Sequence, residues 1–229
     1  MGALREKMIA EMKLRNFAAR TQKSYLAAMV GLAKHYRQYP DQLTQEQIRS
    51  YMLELQERGL SSSSLNVNIS GLRFFYQQVL GWNQEQFFLP RRKRTWRLPE
   101  VLSPREVERL LSAAVKLRDR CLLMTAYSAG LRVTELIHLK LSDIDVERMM
   151  IRVEQGKGKK DRYTILSPWL LGELKKYKPT YQPVSWVFFG KSRNDPLDIS
   201  AAQKIYNRAK QKSGLEKGKG IHTLRNAST

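Results

Sequence analysis

A proline-bounded basic run, Pro90-Arg91-Arg92-Lys93-Arg94-Thr95-Trp96-Arg97-Leu98-Pro99, divides this chain into two stretches with different apolar periodicities. Proline lacks a backbone donor and pushes the residue before it out of the helical region, so no regular element is expected to run through the interval. The interval reads as an interdomain linker. A chain of 229 residues can hold two hydrophobic cores. The expected organisation is a domain over 1–88, a linker over 89–100 and a second domain over 101–229.

Upstream of the break, apolar residues recur every three or four positions and almost never alternate, which predicts helices only. The first covers roughly 4–15. The second follows Thr21, with Tyr25, Leu26, Met29, Leu32, Ala33 and Tyr36 on one broad face, and closes at Pro40. Thr44-Gln45-Glu46-Gln47 has the form of a capping box, in which the Thr hydroxyl and the Gln amide satisfy each other's backbone donors. Ile48, Tyr51, Met52 and Leu55 continue that helix, and Gly59 ends it. Serines 61–64 then supply a turn and a cap for a fourth helix over about 65–80, with Val67, Ile69, Leu72, Phe75, Tyr76 and Val79 available for packing.

Downstream the pattern is mixed. Ser103-Pro104-Arg105-Glu106 predicts a capped helix start, and Leu117–Ser128 is apolar nearly all round, as a central core helix would be, with Gly130 as its terminator. A helix over about 132–140 follows. Residues 149–153 and 163–166 form a predicted hairpin around a Gly/Lys turn at 156–160, and Trp186–Phe189 is a predicted short strand. Further helices run from Ser167-Pro168 to near Lys178 and over about 199–213. The fold class expected is mainly α with a small β-hairpin sheet (α+β).

Charge narrows the partner. There are 41 Lys and Arg against 21 Asp and Glu, a formal charge of +20, while 42% hydrophobic content argues for folded domains rather than a basic tail. Such a surface suits a polyanion, because neutralising phosphates releases condensed counterions. Double-stranded DNA is the expected partner, with Arg91, Arg92, Lys93, Arg94 and Arg97 acting as a strap and Lys159, Lys160 and Arg162 as further contacts. The single cysteine, Cys121, lies in an apolar run and predicts a buried, inert thiol. No stretch reaches the roughly 18 apolar residues of a membrane span, and neither a membrane partner nor a secretory leader is expected. The cytoplasm is the expected location.

Three short segments remain: Ala129-Gly130-Leu131-Arg132-Val133-Thr134-Glu135-Leu136, Gly156-Lys157-Gly158-Lys159-Lys160-Asp161-Arg162, and His222-Thr223-Leu224-Arg225. Arg132 and Glu135 are helical neighbours, so the carboxylate can hold the guanidinium; His222 and Arg225 share that spacing. Glycines flanking Lys157 let a turn approach a ligand closely. Singly, each is an ordinary surface pattern. In this order, after a core helix, they resemble the tyrosine recombinase (phage integrase) family, which carries an Ala/Ser-Gly-Leu-Arg-x-x-Glu-Leu box, a Gly-Lys-Gly hairpin and a His-x-Leu-Arg box. The resemblance covers about 10–225, with the N-terminal helices similar to the SAM-like core-binding domain of integron-type integrases.

The resemblance implies that Arg132 and Arg225 grip the non-bridging oxygens of a scissile DNA phosphate, as two planar forks can. It implies Lys157 as general acid toward the leaving 5′-oxygen, with Lys159 the alternative, and His222 as a hydrogen-bond donor or proton-transfer partner. Glu135 would hold the site in shape. No metal or cofactor is implied, since the arginines supply the positive charge. Family members work as tetramers on DNA, and serve site-specific recombination and integration, often of mobile elements.

One departure stands out. The family's nucleophilic tyrosine lies well beyond the second arginine, whereas here Arg225 is followed by Asn226-Ala227-Ser228-Thr229 and the sequence stops. The expectation is a truncated catalytic domain that binds DNA without its nucleophile, and in which a tetramer is doubtful. A non-catalytic DNA-binding remnant or regulator is the alternative to an active strand-exchange enzyme, and a type IB topoisomerase-like enzyme or a plain transcription factor stands further off.

Overall fold

Met8 and Met12, one turn apart, give the first helix its buried side: α1 spans Gly2–Leu14 and both methionines are inaccessible. The computed structural model describes residues 2–83, 87–91, 100–154 and 161–227. It falls into two units, Met1–Arg97 and Leu98–Thr229.

In the first unit, α2 spans Ala19–Tyr36, starting two residues before Thr21. It ends before Pro40, because Arg37 turns left-handed (φ 52°) and the Tyr36 hydroxyl donates to the Gln47 carbonyl at 2.7 Å. Pro40 instead opens a short 3-10 turn, Pro40–Gln42. α3, Gln45–Glu57, begins with both halves of the Thr44/Gln47 capping box in place. α4, Ser62–Arg73, is capped by Ser61 and packs against α2, where a Cβ on Gly71 would lie 3.1 Å from the Tyr25 Cα; glycine lets the two backbones approach.

A wider π-helical turn, Phe74–Val79, prolongs α4. Three successive aromatics, Phe74, Phe75 and Tyr76, are buried there, which an ordinary 3.6-residue turn would not bring to one side. Tyr76 stacks on Phe87 at 4.8 Å and its hydroxyl donates to the Pro40 carbonyl at 2.5 Å. Val67 does not join this core. With Leu65, Ile69 and Leu72 facing inward, it lies across the helix and is 43% exposed.

The second unit is arranged around α6, Leu117–Ser128, whose Cys121, Leu122, Leu123, Met124 and Ala126 are buried. Gly130 takes φ 57° two residues after its end, as a terminating glycine can. Packed on α6 are α5 (Pro104–Ser112), α7 (Val133–Ile137), α8 (Pro168–Tyr181), α9 (Ile199–Lys212) and α10 (His222–Asn226). Burial pushes the Cys121 thiol up to about 12, with Glu173 adding to the shift, so it remains protonated and inert.

At Ser103, hydroxyl and Glu106 carboxylate complete the expected capping box of α5. Ser103→Ala removes one half of it. The expected cost is about 1 kcal/mol, read as a lower denaturation midpoint of this unit; an unchanged midpoint would mean the cap contributes nothing.

Four expectations need correction here. α7 is five residues rather than nine, because the chain turns extended at Lys140 and Leu139–Leu141 hydrogen-bonds to Ser185–Val187 (Val187 N–H to the Leu139 carbonyl, 2.8 Å). Trp186–Phe189 is correspondingly no strand: it makes only isolated bridges, Lys140 with Trp186 and Phe189 with Pro196, although Val187 and Phe188 are buried. The sheet has three antiparallel strands, not two. β1 (Ile144–Asp145) pairs with β2 (Met150–Val153), which pairs with β3 (Arg162–Ile165) in the register Arg152 to Tyr163. α8 also runs three residues past Lys178, since Pro179 removes only one bond in a final turn that Gln182 (φ 46°) closes. The mainly helical fold with a small antiparallel sheet is as expected.

Candidate functional site

Because α7 begins at Val133, Arg132 is not inside the helix but at its N-cap, with extended backbone (φ −68°, ψ 151°). From there its backbone N–H donates to Glu135 Oε2 at 2.8 Å and its Nη1 to Oε1 at 2.7 Å. β3 brings a second guanidinium to the same carboxylate: Arg162 Nη1 donates to Oε1 at 3.0 Å and Nη2 to Oε2 at 2.8 Å. The Glu135 side chain is only 6% exposed, whereas Arg132 and Arg162 are 35% and 36% exposed. One buried anion thus anchors two half-exposed cations.

Burial alone would raise the Glu135 pKa. Bonds from Arg162 and from the Arg132 amide and guanidinium outweigh it and hold the group at about 2, so it is ionised throughout the neutral range. The same pairing raises Arg162. Among the described residues, the Arg132 guanidinium engages Glu135 through Nη1 and its side chain stays 35% exposed, so the fork has donors left for a bidentate anion such as a phosphate.

α10 carries the other pair. Thr223 and Leu224 are buried against the core, which leaves His222 exposed and Arg225 half-buried. Both α7 and α10 pack on α6, so the segments bearing Arg132 and Arg225 share one supporting helix. Lys157, Lys159 and Lys160 lie outside the described residues, as do Arg92, Lys93, Arg94 and Arg97. Arg91 is exposed. Among the described residues no group of three or more His, Cys, Asp or Glu could hold a metal ion, and no helix is long and apolar enough to cross a membrane.

Three features were missed from the sequence. Arg162 was read as a basic hairpin residue, and its ion pair with Glu135 spans 27 positions that no local pattern links. Beside Glu135 lies a groove of about 360 Å³ lined by His138, Lys140, Arg152, Glu154 and Trp186, in which Lys140 Nζ meets Glu154 at 2.8 Å and Arg152 meets the buried Asp143 at 3.0 Å. In the first unit, a groove of about 870 Å³ between α2 and α4 is lined by short polar side chains, Arg20, Arg91 and the exposed Val67. The only sequence signal for it was a polar, serine-rich face on α4.

Comparisons with known proteins agree with this architecture. Residues 100–229 match the model of the phage integrase family, and residues 4–86 match that of the phage integrase N-terminal SAM-like domain. A Sinorhizobium fredii protein described as an integrase/recombinase is 40% identical over 230 residues, covering 99% of this chain and 74% of its own length. The tyrosine recombinase XerA of Pyrococcus horikoshii is 34% identical over 168 residues, which are 72% of this chain and 59% of XerA. Among solved structures, a lambda integrase dimer bound to a COC′ core site superposes with a TM-score of 0.75 over all of this chain and 88% of that one, at 19% identity, a likeness of fold. With one family model covering more than half of its residues and a relative at 40% identity along nearly its whole length, the chain belongs to the phage integrase family of tyrosine recombinases.

Proposed function

We propose that this protein binds double-stranded DNA at a recombination site and holds one backbone phosphate between Arg132 and Arg225, with Lys157 and His222 as its proton-handling neighbours. The observation that carries the reading is the Glu135 anchor: a buried, fully ionised carboxylate that holds Arg132 by its amide and one guanidinium nitrogen while the arginine side chain remains partly exposed. Arginine forks aimed in advance are what a developing phosphorane charge requires, because no reorganisation is needed during reaction. The helical unit over 1–88 would act as the core-binding domain and the run over 89–100 as a basic linker across the duplex. Arg20, Arg91 and the hydroxyls between α2 and α4 suit contacts to the sugar-phosphate backbone. A substrate of this kind implies work in the cytoplasm.

Strand cleavage would need a tyrosine, and all ten of this sequence precede His222. Tyr177 and Tyr206 are buried with raised pKa values, burial being the chief cause. Tyr163 is exposed but alternates with Arg162 along β3, so it faces away from the Glu135 side. We therefore read the 229-residue sequence as a binder that does not cut by itself. A nicked suicide duplex tests this: reversible retarded complexes are expected, and a covalent protein–DNA adduct would overturn it.

Replacing Arg132 or Arg225 by Ala is expected to weaken duplex binding about ten- to hundredfold each, the worth of one charged hydrogen-bonding group at a phosphate. Fluorescence anisotropy with a labelled duplex measures it. Parent-like affinity in both variants would remove the phosphate assignment.

A further inference from the structure

The segment leading into α10 is tied down by side chains that the phosphate site leaves without a task. Lys210 Nζ donates to the Glu216 carbonyl at 2.7 Å, the Gly218 N–H donates to Glu100 Oε2 at 2.8 Å, and the Ile221 N–H donates to Gln203 Oε1 at 3.4 Å. All three act on the backbone, so they set the path of the chain rather than the placement of an exposed side chain.

Space is as restricted as the hydrogen bonds. Gly218 stands at φ +84°, and a Cβ on it would lie 2.4 Å from the Tyr206 hydroxyl and 3.1 Å from Thr223 Cγ2. A Cβ on Gly220 would meet Gln203 Nε2 at 2.6 Å and His222 Nδ1 at 3.2 Å. The Gln203 amide and the His222 imidazole therefore flank the same point of backbone. Glycine at both positions lets the turn press between α9 and α10.

We propose that Glu100 and Gln203 are positioning residues for the His222–Arg225 pair. Each holds one end of the Gly218–Ile221 turn, and the turn sets the angle at which His222 leaves α10. Glu100 directly follows Pro99 and the basic run 91–97 in the sequence. The consequence for DNA rests on the phosphate reading; the positioning itself does not.

The test uses the full 229-residue chain with isotope-labelled histidine. Three histidines, His35, His138 and His222, give three sets of ring signals, assigned with His222→Asn. Glu100→Ala and Gln203→Ala are expected to shift or broaden the His222 signals while His35 and His138 stay in place. Glu100→Gln keeps an acceptor oxygen and is expected to restore the parent spectrum. In duplex titrations the two alanine variants should bind about two- to tenfold more weakly, as for one lost hydrogen bond, and Glu100→Gln like the parent.

His222 signals unmoved in both alanine variants would overturn the proposal. So would His138 moving together with His222, since that marks a contact needed by the whole second unit rather than by the turn; His35, in the first unit, serves as the internal reference. If His222 shifts as expected but Arg132→Ala and Arg225→Ala bind duplex like the parent, the phosphate reading fails and the positioning role stands.

Discussion

Glu135→Ala is expected to cost the second unit about 3 kcal/mol of stability at neutral pH, the low end of what removing one partner of a buried ion pair costs. The low end applies because Arg132 and Arg162 are each about one-third exposed and can turn their forks into water once the carboxylate is gone. The pKa gives a similar figure. Its fall from 4.5 to about 2 corresponds to roughly 3 kcal/mol favouring the folded, ionised form. Since the folded value is the lower one, this contribution is complete above pH 4.5 and is lost as the pH falls toward 2. Glu135→Gln, which cannot ionise, should therefore be less stable than the parent at pH 7 and converge with it near pH 2. Denaturant titrations of the two proteins across that range measure it, and parallel curves would show that the carboxylate charge stabilises nothing.

Duplex binding should weaken about a thousandfold to a hundred-thousandfold between about 50 mM and about 200 mM salt, the range for six to ten neutralised phosphates. The formal charge of +20, the basic run at 91–97 and the Arg20/Arg91 groove supply enough cations for that count. Alanine at Arg92 and Arg94 together should lower the slope of log affinity against log salt by about two, while leaving sequence preference unchanged. A slope magnitude below about 2 in the parent would mean that the basic surface is not meeting phosphates.

How much of this was legible beforehand differs from element to element. Both capping boxes, at Thr44 and Ser103, were readable because their partners are three residues apart. α6 was readable to the residue, since a segment buried on all sides carries its signal in composition alone. Val67 was misread because apolar character does not say which side of a helix a position occupies once its neighbours at 65, 69 and 72 have chosen theirs. α7 was drawn too long because the extended pairing that stops it comes from Ser185–Val187, more than forty residues away.

The candidate site divides in the same way. Arg132, Glu135, His222 and Arg225 stand in short boxes whose spacing carries both neighbourhood and family. Arg162 on Glu135, the groove beside Trp186, and the hold of Glu100 and Gln203 on the turn before His222 join positions that are 27 or more, 32 or more, and up to 118 residues apart.

By itself the amino-acid sequence determined the two-part organisation, the capped helices, the basic character and the family, because each depends on residues near one another or on summed charge. The tertiary structure alone decided which carboxylate anchors which guanidinium, where helices stop for want of local reasons, and what braces the His222 turn. Those outcomes follow from the packing of distant segments around α6, where hydrogen-bonding groups must find partners or stay in water, and no local pattern records which partner they meet.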